Sequence, residues 1–197
     1  MARQWSRVRQ GLTASIVLLS GPLAVGKTAV AGVLRNKFSF KKISSSDHLR
    51  GLAQARGLVD TRKTLQQLGD LLDRKTGFAW LVDDVAVIQV ENAAEQSGWF
   101  VDAVRKAQQV EHFRAKFDNV FHVHLTAPED ILRARFLERA RDGDETETPE
   151  SYDICVAHPN EQASRSLHKI ADMVIDLSEV SPTEAAELIV DHQAKAA

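Results

Sequence analysis

The chain has 197 residues, 44% of them hydrophobic and 26% charged, which suits one folded domain with a substantial core. Its formal net charge of −2 offers no basic field for wrapping a nucleic-acid polymer. The lone cysteine, Cys155, excludes an internal disulfide and leaves too few thiolates for a zinc cluster, so a cytosolic (cytoplasmic) protein is expected.

Arg3, Arg7 and Arg9 precede an apolar run from Leu12 to Val25 that superficially resembles a secretory signal. The Gly21-Pro22 break within it and the Gly26-Lys27-Thr28 ending fit a strand feeding a phosphate loop better, and no run is long enough to span a membrane. Ser15–Ser20 is the first predicted strand, and Thr28–Phe38 a helix with Val30, Val33, Leu34 and Phe38 at core-facing spacing. Lys41–Ser44 reads as a short second strand, followed by a helix that opens on Ser45-Ser46-Asp47 and reaches Gly57. Thr61 to Ser97 is richly helical, with Leu65, Leu68, Leu71 and Leu72 on one stripe and Leu81, Val85 and Ile88 on another, beside Trp80. Trp99–Asp102 and Val120–Thr126 are further strands, and Pro128-Glu129-Asp130 starts a helix that runs to about Arg141. The acidic stretch Asp142–Ser151, with Gly143 and Pro149, reads as a loop. A helix over about His158–Ile170, a strand over Met173–Leu177 and a helix over Pro182–Lys195 close the chain. Strands alternating with helices predict a parallel sheet covered on both faces, a three-layer α/β fold.

The segment Gly21-Pro22-Leu23-Ala24-Val25-Gly26-Lys27-Thr28 fits G-x-x-x-x-G-K-[ST] at each fixed position, between a predicted strand and a predicted helix. Glycine permits the tight bend that turns successive backbone N–H groups inward onto phosphate oxygens. Ala24, Val25 and Ala29 are therefore expected to bind through their backbones, and the helix beginning near Lys27 adds the positive end of its dipole. Lys27 is expected on the β- and γ-phosphates of ATP, with the Thr28 hydroxyl on Mg²⁺. A switch GTPase would need N-K-x-D, yet the Asn36-Lys37 pair continues into Phe38-Ser39 within a helix. The chain is also short for a mechanical ATPase.

Parallel strands deliver two clusters to the same edge as the phosphate loop: Ser45-Ser46-Asp47-His48-Leu49-Arg50, directly after the second strand, and Trp99-Phe100-Val101-Asp102-Ala103-Val104-Arg105, which begins within the third, with Gln109 one turn beyond. Arg50 and Arg105 would face an anion beside the γ-phosphate, and Asp102 could organise magnesium through water.

With these residues the chain resembles the nucleoside monophosphate kinase branch of P-loop proteins, which includes adenylate and deoxynucleoside monophosphate kinases. The resemblance implies a five-stranded parallel P-loop core (residues 12–44, 98–141 and 152–197), a helical acceptor-binding insertion (about 45–97) and a short lid (about 135–151) in one domain. It implies an acceptor-phosphate arginine in Arg50, beside Asp47. Asp102 and Arg105 would be a magnesium-side acid and a second phosphate arginine, and Gln109 an acceptor-base contact. Arg135 and Arg139 resemble the lid arginines that meet the donor nucleotide and the moving phosphoryl group. Thr61-Arg62 through Leu65-Gln66 to Gly69 is more similar to compact deoxynucleotide kinases, which makes Arg62 and Gln66 acceptor contacts. The family's Asp-Gly-x-Pro-Arg stands here as Asp102-Ala103-Val104-Arg105, without the Gly and Pro, and the lid lacks zinc-ligand cysteines.

The implied activity is transfer of the γ-phosphate of ATP, with Mg²⁺, to a nucleoside monophosphate or close analogue. The alternatives are a nucleotide-dependent regulatory or binding protein and a small-metabolite kinase with a hydroxyl acceptor, for which Asp47 would be the base. His122-x-His124 places two imidazoles on one strand face; lacking a third ligand at metal spacing, they read as structural, as does Cys155.

Overall fold

The computed structural model describes residues 12–102, 104–141 and 149–196. Strands β1 (Leu12–Ser20), β2 (Lys41–Ile43), β3 (Gly98–Val101), β4 (Phe117–Thr126) and β5 (Met173–Asp176) form one sheet in the order β2-β3-β1-β4-β5, with each pair parallel. The order follows from β1. Ile16, Val17, Leu18 and Leu19 are a continuous apolar run, fully buried, as a strand covered on both faces requires. Side-chain alternation splits that run between two cores. Ile16 and Leu18 join Val101, Trp99 and Phe113 on one face, while Val17 and Leu19 join Phe100, Val123 and Ile175 on the other.

Helix α1 (Lys27–Phe38) buries Val30, Ala31 and Leu34 and stops where Ser39 takes a left-handed conformation, φ 57°. Between β2 and β3 lie α2 (Ser46–Ala55), α3 (Arg62–Thr76), a π-helical turn (Leu81–Ala86) and α4 (Val87–Glu91). The Thr61 side chain caps α3 by accepting from Thr64 N, and Gly77 ends it at φ 57°. The π-turn buries Leu81, Val82, Val85 and Ala86, a wider apolar face than the three-residue stripe expected from sequence. Trp80 is held beside it by donating Nε1–H to Asp73 Oδ1 at 2.7 Å.

Helix α5 (Ala107–Lys116) precedes β4, and α6 (Glu129–Arg141) follows it. Of the stretch expected as an acidic loop, residues 142–148 lie outside the described residues, whereas Pro149 begins helix α7 (Pro149–Ala157). Proline at the first helical position gives up no intrahelical hydrogen bond, so its presence does not argue for a loop. The helix expected over His158–Ile170 is divided into α8 (Pro159–Ser166) and a 3₁₀ turn (Leu167–Ile170), and α9 (Pro182–Ala196) closes the chain. β1 and β4 begin at Leu12 and Phe117, earlier than predicted, because Leu12 pairs with Phe117 across a register shift. No described helix is long and apolar enough to cross a membrane.

Candidate active site

The carboxyl end of β1 lies where successive connections depart to opposite sides, the position at which open α/β sheets bind ligands. There the chain turns through Gly21 at φ 138° and Gly26 at φ 113°. Gly21 has two reasons to be glycine: its φ, and a Cβ that would stand 2.3 Å from the Leu125 carbonyl oxygen. Ala24 holds φ 64°, a conformation that costs a residue with a Cβ more than it would glycine. Lys27 donates to the carbonyls of Gly21 at 2.8 Å and Pro22 at 2.7 Å, drawing the loop around its own ammonium. Thr28 and Ala29, on the first turn of α1, are exposed to a cavity of about 810 Å³ in front of the loop.

That cavity is built from several elements. The loop from Gly21 through Ala29 forms one wall, and Gln66 of α3 and Arg105, before α5, also line it. Arg135 and Glu138 of α6, Ile154 and Cys155 of α7, and His158, Asn160, Glu161 and Ser164 add the remaining side. Arg135 is already fastened: Nη1 donates to Val25 O at 2.9 Å and Nη2 to Leu177 O at 2.8 Å, tying α6 to the phosphate loop and to the end of β5.

Other residues singled out in the sequence are placed differently. Asp47 and Arg50 bond each other at 3.1 Å, Arg50 also meets Asp60 at 3.2 Å, and neither lines the cavity. The Asp47 side chain is 90% exposed. Asp102 accepts from Lys42 Nζ at 3.2 Å and lies outside the cavity lining. Gln109 turns back on its own helix, its Oε1 accepting from Arg105 N at 3.0 Å and Lys106 N at 3.2 Å. The side chains of Arg62 and Arg139, on α3 and α6, lie outside the described residues, as does Ala103.

Glu161 lies in His158-Pro159-Asn160-Glu161, which reads from sequence most simply as a helix start, with a contact to the lid or nucleotide as the lesser alternative. Its Oε1 accepts from Leu23 N at 2.8 Å, inside the phosphate loop. Cys155, expected as a structural residue, is exposed and lines the cavity. The two imidazoles of β4 are structural in the sense expected. Ser20 Oγ lies 2.7 Å from His122 Nε2 and 3.0 Å from His124 Nδ1, joining β1 to β4 just before the loop. Burial holds both imidazoles down to about 4, opposed at His122 by its backbone neighbour Ile170 and reinforced at His124 by His122, His168 and Lys27.

Among the described residues, no group of three or more His, Cys, Asp or Glu side chains could hold a metal ion. A magnesium ion bound mainly by phosphate and water oxygens needs only an oxygen such as the Thr28 hydroxyl, exposed at this cavity, so the residues present fit it.

A family model described as an AAA domain matches residues 20–153. An adenylate kinase from Trichodesmium erythraeum (strain IMS101) is 32% identical over 140 residues, 65% of this chain and 71% of that protein. The APS kinase of Mycobacterium tuberculosis, solved with AMPPNP and APS, superposes with TM-score 0.56 at 16% identity, over 91% of this chain and 96% of that one. Shikimate kinase from Aquifex aeolicus vf5 gives TM-score 0.50 at 16% identity, over 92% of this chain and 98% of that one. At such identities these two structures speak for the fold alone. The phosphate loop, the parallel sheet around it and the match across residues 20–153 agree: the chain belongs to the P-loop nucleoside monophosphate kinase-like family and is a phosphotransferase.

Proposed function

We propose that the protein transfers the γ-phosphoryl group of ATP, as its magnesium complex, to a nucleoside monophosphate or a close analogue. The observation that carries this reading is the shared cavity: Arg105 and Gln66 line the same space as the phosphate loop. A guanidinium and an amide there suit an acceptor bearing an anionic group and a hydrogen-bonding body. The adenylate kinase relative supports the same acceptor class.

Phosphoryl transfer rests mainly on alignment and charge neutralisation. The loop backbone and Lys27 would hold the donor's phosphates, and Thr28 would hold the magnesium ion. Bound there, the ion neutralises charge on the phosphate oxygens. Arg105 would steer the acceptor phosphate into line, and that phosphate is already a competent nucleophile at neutral pH. A hydroxyl acceptor would instead need a base. The exposed Asp47, paired with Arg50 outside the cavity lining, is poorly placed for that work.

The test is ADP formation by purified protein with Mg·ATP across a panel of nucleoside monophosphates, deoxynucleoside monophosphates and hydroxyl-bearing metabolites. Turnover is expected with one or more monophosphates and above the acceptor-free rate. Turnover confined to a hydroxyl acceptor, or none that depends on any acceptor, would sink this reading.

A further inference from the structure

Helix α8 grips the phosphate loop at two points. Glu161 accepts from Leu23 N at 2.8 Å, and Ser164, three residues on and so on the same helix face, donates to Gly21 O at 3.1 Å. The loop needs holding there: Pro22 has no N–H to donate, and Ala24 keeps its left-handed backbone at φ 64°. A carboxylate in that position also carries a penalty. Glu161 lines the cavity, and a full negative charge on its wall would repel a triphosphate.

Arg165 answers that penalty. Its Nε donates to Glu161 Oε1 at 3.0 Å, and its Nη1 to Glu129 Oε2 of α6 at 2.7 Å. Glu129 Oε1 in turn accepts from the Tyr152 hydroxyl of α7 at 2.7 Å. The Glu161 and Arg165 side chains are only 15% and 23% exposed, so solvent screens the pair weakly. Neither residue belongs to the phosphate-loop motif.

We propose that Glu161 is a positioning residue for the phosphate loop, fixing the Leu23 N–H from α8, and that Arg165 masks its charge so that the loop still accepts a triphosphate. This rests on the reading that the cavity takes a nucleoside triphosphate, and is independent of the acceptor.

Calorimetric Kd values for a non-hydrolysable Mg·ATP analogue test it, taken with the Tm of each protein. Glu161→Gln keeps an oxygen for the Leu23 N–H and should bind within about threefold of the parent, whereas Glu161→Ala should lose about tenfold. Arg165→Met leaves the carboxylate unmasked and should also lose about tenfold, while Glu161→Gln combined with Arg165→Met should recover most of that loss. A purely structural role predicts the opposite order, with the double variant the weakest. Unchanged affinity in Arg165→Met, or a double variant no tighter than Arg165→Met, overturns the proposal. Should Arg165→Met not fold, equal affinities for Glu161→Gln and Glu161→Ala overturn it. A parent protein that binds no triphosphate would instead remove the reading beneath it.

Discussion

Gln66 and Gln109 carry the same amide into different chemistry. Gln66 stands exposed on α3 and lines the cavity, whereas the Gln109 carbonyl is engaged by the backbone N–H groups of Arg105 and Lys106 at the start of α5. Removing an exposed amide that only touches a ligand should leave stability alone. Gln66→Ala is therefore expected to keep the parent Tm and raise the acceptor KM, by about tenfold for one lost hydrogen bond. Gln109→Ala is expected to cost about 1 kcal/mol of stability, as losing a helix cap does. Any effect it has on the acceptor KM should vanish in an Arg105→Ala background, because it would act only through that arginine. Steady-state kinetics and thermal melts of the four variants decide the matter; a KM effect of Gln109→Ala that persists without Arg105 would mean direct contact with the acceptor. Spacing alone shows that Gln109 lies one turn beyond Arg105. It cannot show whether a side chain so placed reaches outward or folds back on the open N–H groups of its own helix.

At the scale of elements, β1 and β4 are joined by more than their ladder. Ser20 pairs in register with His124 and sits between two imidazoles, immediately before the loop. Both imidazoles are held neutral by burial, near 4 against an ordinary 6.5. The unfolded chain therefore binds more protons between those values, and stability must fall as the pH drops through that window. It is fully present above pH 6.5, declines toward pH 4 and loses nothing further from these groups below that. The decline is on the order of 3 kcal/mol per imidazole, and less than additive for two rings sharing one hydroxyl. Urea melts from pH 7 to pH 4 should show it, and His124→Gln should flatten the slope. A slope unchanged by that substitution would assign the acid sensitivity to other groups.

The same two strands show where sequence suffices. The phosphate loop is legible because its requirements are local: a buried apolar strand, glycines at bends and a helix start all lie within one short segment. The pair His122-x-His124 likewise reveals its shared face through strand alternation. The acceptor side resists because one of its expected cations is claimed by carboxylates on and just beyond its own helix. Arg50 has a suitable place after β2, but Asp60, beyond the end of α2, captures it together with Asp47. Glu161 reaches Leu23 from 138 residues further along the chain, a contact no spacing rule encodes.

For the whole molecule, the phosphate loop is also a junction. α8 reaches it through Glu161 and Ser164, α6 through Arg135, and Lys27 draws its first two carbonyls inward. A ligand seated in that loop should stabilise the entire sheet, since it binds the native chain and has no formed site on the unfolded one. Mg·ATP at a hundred times its Kd would contribute about 2.7 kcal/mol. In a chain of this size each kcal/mol raises Tm by about 2–4 °C, so a rise of roughly 5–11 °C is expected. Lys27→Ala should lower the ligand-free Tm slightly, because two loop carbonyls lose their donor, and should abolish the nucleotide-induced rise. The quantity to compare is therefore the shift within each protein, measured by differential scanning calorimetry with and without Mg·ATP. A parent protein whose Tm does not move under saturating Mg·ATP, or a Lys27→Ala variant with the full parental shift, would remove the triphosphate from this cavity.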